Sequence, residues 1–460
     1  MKAPFFCSFL AASLLLHSPA STQAQSLPKQ LDALAVSYAK AGQLNGTVLV
    51  AEHGKVVFAK GYGLANREWN QPNAADTKFR LGSLTKQFTA LLVMQLVEKG
   101  KLKLDGHVSD YLPDYPKAAG DKITIHHLLT HTSGIPNYTA QPGFAAASIL
   151  PTTPAAFLRT FAELPLEFEP GSTYRYSNSG YFLLGAIIEK VTGKPYAQVL
   201  SENILQPLHM QDTGYDLAET VLPRRAAGYD KAATGTFYNT SYVDMTVPYA
   251  AGSLYSTVGD LYKWDQALYT TQLLNDASKA SLFKPFKGNY AYGWIASRAV
   301  VGADTVALLG HSGHVNGFGA YLLRAPRDRQ LVVVLDNEGG PHVQEVSLDL
   351  LRVLYHRPTT GPKPEPAARQ AVAVDAATVA PYVGKYQLAP TFFITVKADG
   401  SQLSAQATGQ QPFVLVATGP ARFTVQGVPA EVEFVKNASG AVEKLILHQG
   451  GNASPGTKVE

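Results

Sequence analysis

Ser83-Leu84-Thr85-Lys86 places a hydroxyl and an amine three residues apart at the head of a strongly apolar stretch. A serine hydroxyl is a weak nucleophile until a neighbour takes its proton. Residues three apart on a helix share a face, so Lys86 can sit one turn behind Ser83. Free lysine, with a pKa of about 10.4, is charged at neutral pH and is no base. Burial disfavours the ammonium and lowers that pKa. The run from Phe88 to Val97 is apolar nearly all round, which is how a buried helix reads. Gly82 permits a sharp turn before the helix and Gly100 a stop after it. Ser83 then lies at a helix N-terminus, where free backbone N–H groups can hold an oxyanion.

Two of the other copies of Ser-x-x-Lys plainly lack that setting. Ser26-Leu27-Pro28-Lys29 carries a proline near the start of the chain, and Ser281-Leu282-Phe283-Lys284 runs into Pro285. By itself the Ser83 copy also fits a capping serine with a snorkelling lysine. Two other features join it. Tyr176-Ser177-Asn178 precedes a helix-like run, and Tyr-x-Asn occurs nowhere else in the chain. A phenol beside an amine can relay protons, and an asparagine amide can orient a carbonyl or the lysine. Alone, Tyr176 reads as a buried tyrosine with a satisfied hydroxyl. The second feature is Gly310-His311-Ser312-Gly313-His314 on a strand, where small residues let a substrate backbone lie against the edge. The His314 N–H is placed to complete an oxyanion hole with that of Ser83. His126, His127 and His131 invite a metal reading, but no His-Glu-x-x-His and no well-spaced acidic ligand accompany them. No Gly-x-Ser-x-Gly elbow is present.

The elements that must position these residues run in a telling order. Leu27 to Gln43 is helical, and Gly46 to Glu52 and Lys55 to Gly61 form a hairpin at His53-Gly54. The Ser83 helix follows. Leu102 to Tyr249 then reads as helical patches between Pro- and Gly-rich loops, including a helix over Tyr181 to Val191. Asp260 to Tyr269 is helical, Ala307 to Leu323 and Gln330 to Asp336 are strands, and Val343 to Tyr355 is a closing helix. The pattern predicts an α+β fold, an antiparallel sheet flanked by helices with a helical insertion. Residues 357–369 are a proline-rich linker. Residues 370–460 carry seven short β-rich runs, from Gly384–Leu388 to Lys444–His448, and predict a small all-β barrel.

In order and spacing the three motifs resemble the boxes of penicillin-binding and β-lactamase-like serine hydrolases: Ser-x-x-Lys, Tyr-x-Asn and Lys/His-Thr/Ser-Gly. The likeness is greatest to the class C β-lactamase, DD-peptidase and D-aminopeptidase branch. Gly61-Tyr62-Gly63, His127 to Ile135, Glu169-Pro170-Gly171 and Ala251 to Thr257 also look like stock segments of that family. The resemblance covers roughly residues 30 to 356 of a hydrolase domain expected over 25–356, and the tail resembles a lipocalin-like barrel appended to such enzymes. It implies Ser83 as nucleophile, with Lys86 and Tyr176 sharing base duty. It further implies that Asn178 orients Lys86 and substrate, that His311, Ser312 and Gly313 line the substrate strand, and that the Ser83 and His314 N–H groups form the oxyanion hole. Where typical β-lactamases have a lysine, a permanent cation for a substrate carboxylate, this chain has His311. With a pKa of about 6.5, histidine is only partly a cation. That tilts the expectation toward D-amino-acid peptides or carboxylic esters, with β-lactams and a non-catalytic penicillin-binding or scaffold role as alternatives.

Composition sets the remaining expectations. The chain has 460 residues, a net charge of +4 and no basic run, so it has no nucleic-acid signature. Residues 1–24 read as a cleaved secretory signal, with Lys2, an apolar core and Thr22-Gln23-Ala24. The expected location is periplasmic or secreted, without a stable membrane anchor. The single cysteine, Cys7, falls inside that signal, so a mature chain offers no disulfide, thiolate or cysteine metal site. No cofactor and no metal are expected. The partner is a small-molecule or peptide substrate, with cell-wall-derived peptides among the candidates.

Overall fold

The computed structural model describes residues 26–460 except 142, 233–234, 302–303, 365–370, 390–391, 409–411, 427–429 and 450–451. The expected signal, with Cys7, and the end of the linker lie outside the described residues.

The elements that matter for the site are, in chain order, α1 (Leu27–Lys40), β1 (Gly46–Glu52), β2 (Lys55–Tyr62), α2 (Thr85–Glu98), α3 (Asn178–Thr192), α4 (Val258–Ala267), β3 (Ile295–Val301), β4 (Asp304–Val315), β5 (Phe318–Ala325), β6 (Gln330–Asp336) and α5 (Val343–Leu354). The six strands make one antiparallel sheet in the order β3-β4-β5-β6-β1-β2. The β1–β2 hairpin turns on His53 and Gly54, both at positive φ (49° and 75°), the geometry of a tight two-residue turn.

Side chains alternate across a strand, and the central strands bury both faces. Val48, Val50, Val332 and Val334 pack with Leu31 and Ala35 of α1 and Val346 and Leu350 of α5. Leu49, Leu331, Val333 and Leu335 pack on the other side with Phe88, Leu91 and Leu92 of α2 and Leu261 and Trp264 of α4. Every residue of α2 from Thr85 to Met94 is buried. Burial of each large apolar side chain stabilises by about 1.5–3 kcal/mol, so tertiary packing fixes the helix that carries Lys86.

Two expectations need correction. Ala307 to Leu323 is not one strand: β4 and β5 are separate and turn at Asn316-Gly317, with Gly317 at φ 71°. Asn-Gly is a strong hairpin signal, and the small, polar residues before it blur the alternation. The strand β3 also went unread, because as the sheet edge it leaves Ile295 and Val300 exposed.

Beyond the sheet domain, eight antiparallel strands from Gly384–Ala389 to Asn452–Lys458 close a barrel in chain order. Asn452–Lys458 closes it despite Pro455, which argues against a central strand. Tyr382, Tyr386, Phe423, Phe434 and Leu445 fill the core, with Tyr382 stacked on Phe434 at 4.4 Å. The linker begins pinned to the sheet domain: buried Asp349 of α5 accepts N–H bonds from Thr360 (3.1 Å) and Gly361 (2.7 Å) and a hydroxyl bond from Tyr38 (2.9 Å).

Candidate active site

Ser83 sits in a single 3₁₀ turn, Gly82–Leu84, that leads directly into α2. Two glycines let β4 press against this turn. A Cβ on Gly82 (φ 52°) would lie 2.6 Å from the His314 nitrogen, and one on Gly313 would lie 1.9 Å from the Leu81 carbonyl oxygen. Neither separation is sterically possible. Gly313 therefore serves the packing of strand on turn rather than an open surface for substrate, and the His314 backbone is held beside the Ser83 turn. The open edge lies nearby: β3 pairs with β4 only as far as Ile295 opposite Gly310, leaving that side of residues 311–315 without a strand partner among the described residues. Ser312, half-buried, pairs across the sheet with Tyr321.

The Lys86 side chain is fully buried, with 0% exposure. Its Nζ lies 2.8 Å from Asn178 Oδ1, 2.8 Å from the Ala251 carbonyl and 3.0 Å from Ser83 Oγ. Burial pushes its pKa well below the lysine range. The neutral amine has two hydrogens and one lone pair. The two carbonyl oxygens can only accept, so they take the hydrogens, and the lone pair is left for the Ser83 hydroxyl. The Tyr176 hydroxyl donates to Ser83 Oγ at 2.8 Å. Burial raises the phenol pKa, so Tyr176 stays protonated and acts as a donor. The amine also lies 4.9 Å from the Tyr176 ring centre.

Asn178 opens α3, and its backbone N–H donates to Asn137 Oδ1 (3.1 Å). Tyr176 is held by a residue to which the sequence gave no role beyond a metal reading and a place in a family-like segment. His131, buried and at φ 56°, accepts the Arg175 N–H on its carbonyl (2.9 Å) and the Ser177 N–H on Nδ1 (3.2 Å). Its ring centre is 4.2 Å from that of Tyr176. The neighbouring histidines make separate local bonds: His126 Nδ1 with the Tyr292 hydroxyl (2.8 Å) and His127 Nδ1 with the Thr124 N–H (3.2 Å).

His311 is 2% exposed and differs from the expected partial cation. Nδ1 lies 2.6 Å from the Ser312 carbonyl, which can only accept, so Nδ1 carries the proton. Nε2 lies 2.9 Å from the Tyr290 hydroxyl and accepts from it. Burial, with Lys86 nearby, lowers the imidazole pKa to about 3. Tyr290 was missed because its role depends on a through-space contact. The aromatic, glycine-flanked run Asn289 to Trp294 was the available signal, since the chain approaches α2 closely there: a Cβ on Gly293 would lie 2.7 Å from the Lys86 carbonyl oxygen.

The structure thus brings Ser83, Lys86, Tyr176 and Asn178 into one bonded cluster, with His311 and the His314 backbone alongside. Comparisons with known proteins give the family. A family model described as "Beta-lactamase" matches residues 31–357, and a "Domain of unknown function (DUF3471)" matches residues 368–458. "Penicillin-binding protein 4*" of Bacillus subtilis (strain 168) is 30% identical over 93% of this chain and 98% of its own length. "Esterase EstB" of Burkholderia gladioli is 38% identical over 46% of this chain and 57% of its own length. The solved D-amino acid amidase from Ochrobactrum anthropi SV3, complexed with L-phenylalanine amide, superposes with a TM-score of 0.62 at 26% identity, over 72% of this chain and 98% of that one.

Proposed function

The chain belongs to the β-lactamase-like serine hydrolases, which transfer acyl groups, and from that premise we propose that it is an exported hydrolase of D-amino-acid peptides and amides or of carboxylic esters. Ser83 is the nucleophile. The Lys86 lone pair takes the hydroxyl proton as Ser83 Oγ attacks the carbonyl carbon. The Ser83 and His314 N–H groups hold the developing oxyanion. Tyr176, already bonded to Ser83 Oγ, passes a proton to the departing nitrogen or oxygen and recovers one from Lys86. Water then attacks the acyl-enzyme by the reverse relay. Asn178 keeps the amine aimed, while His311, Ser312 and the free edge of β4 receive the substrate.

The observation that carries this reading is the Ser83 hydroxyl bonded at once to a buried amine at 3.0 Å and to a phenol at 2.8 Å. Turnover of a short-chain nitrophenyl ester, a D-alanyl peptide and a chromogenic cephalosporin tests it. The expected order places ester or D-peptide first. A cephalosporin turned over best makes the enzyme a β-lactamase, and no turnover of any of the three points to a binding protein. Export rests on the N-terminal signal pattern, and a mature chain beginning at Gln25 is its expected mark.

A further inference from the structure

Recognition of a substrate carboxylate requires a cation or free N–H donors at the place where it lands, because burying an unpaired carboxylate is costly. His311 on β4 holds the position that the family resemblance gives to a carboxylate-binding cation, and both of its ring nitrogens are occupied. The Nδ1 proton is held by the Ser312 carbonyl at 2.6 Å, and Nε2 is covered by the Tyr290 hydroxyl at 2.9 Å. Tyr290 is fully buried, and burial keeps its phenol protonated and donating. The groups facing the imidazole are the Tyr176 and Tyr290 rings, at 6.2 and 5.6 Å, Lys86 from α2, His131 from the preceding loop and His314 from the same strand. None is an acid that would favour a second proton. Burial also disfavours the charged form of Lys86 itself.

We propose that Tyr290 determines specificity: by capping His311 Nε2 it leaves the substrate strand without a cation, so the enzyme selects substrates whose leaving group carries no carboxylate. Amides, capped peptides and neutral esters fit. Peptides with a free terminal carboxylate, and β-lactams with their ring carboxylate, are disfavoured. The inference rests on the acyl-transfer reading of the same site and narrows its substrate class.

Two depsipeptide esters that differ in one group provide the test: N-acetyl-D-alanyl-oxyacetate and N-acetyl-D-alanyl-oxyacetamide. The wild-type kcat/KM favours the oxyacetamide by about tenfold or more, independent of pH from 5 to 8. In Tyr290→Phe the preference shrinks as the pH falls, because an uncapped His311 can take a proton. Equal or better wild-type turnover of the oxyacetate overturns the proposal, as does a Tyr290→Phe preference that matches wild type at every pH. Imidazole ¹⁵N NMR of the wild-type enzyme, with the His311 signal identified by His311→Gln, gives a readout independent of turnover and of how the variant folds. It should show the Nδ1–H tautomer down to pH 5, and an imidazolium at pH 6 overturns the proposal. If neither ester is cleaved, the acyl-transfer reading fails, while the NMR result still decides the state of His311.

Discussion

The Lys86 amine lies 3.0 Å from the Ser83 hydroxyl, and its two other bonding directions end on the Asn178 and Ala251 oxygens. Only the uncharged amine can satisfy these three contacts and still accept the serine proton. The proposed mechanism therefore depends on the state of one buried nitrogen.

The first consequence is the pH profile. Activity requires neutral Lys86, whose pKa burial lowers, and protonated Tyr176, whose pKa burial raises. The plot of kcat/KM for a neutral ester should show one acid limb below the ordinary lysine value of about 10.4 and no alkaline fall up to about pH 10. A rate still climbing at pH 10 would make the Tyr176 phenolate the base instead.

The same group makes stability depend on pH. In the unfolded chain Lys86 keeps its proton up to about pH 10.4. In the folded chain burial releases it at lower pH. Between those values the unfolded state holds the extra proton, so the Lys86 contribution to stability rises with pH. Lys86→Met removes that contribution. Whatever offset the lost hydrogen bonds impose, the variant-minus-wild-type difference in Tm should fall from pH 6 toward pH 10. A difference independent of pH would mean that Lys86 stays charged in the folded protein.

Tyr176→Phe separates the two proton transfers. Removing a positioned acid costs about 10²–10⁴ in rate, and the loss should be greatest for leaving groups that need a proton. An anilide or peptide should lose far more kcat than a nitrophenyl ester, whose leaving group departs as an anion. Equal losses on both would assign Tyr176 to the attack step.

Site geometry was partly legible in the sequence. Ser83 and Lys86 could be paired because helical spacing and an apolar run are local signals, and α2 is buried as that run implies. Tyr176 and Asn178 could be placed at a helix start, and α3 begins at Asn178. The bond from Tyr290 to His311 could not be read, since 21 residues and a strand reversal separate the pair. Gly313 was read for its smallness, but what its smallness admits, the Leu81 carbonyl, lies more than two hundred residues away in the chain. The hairpin at Asn316-Gly317 was legible from its turn residues and was lost in the low-contrast run Gly310 to His314.

His131 is a positioning residue that sequence spacing gave no reason to choose. His131→Asn keeps a residue tolerant of φ 56° and an acceptor for the Ser177 N–H, but removes the ring packed 4.2 Å from Tyr176. It should lower kcat on an anilide by about tenfold or more with little change in KM. His131→Ala, which also frees the backbone, should lose stability as well. A rise in KM alone would place His131 in substrate binding.

The most direct test of the account is covalent trapping. The enzyme is labelled with a fluorescent phosphonate, digested and sequenced by mass spectrometry, alongside Ser83→Ala. One adduct, on the Ser83 peptide, with no labelling and no ester turnover by Ser83→Ala, is the predicted result. An adduct on any other residue, or a Ser83→Ala variant that still turns over the ester, would contradict it.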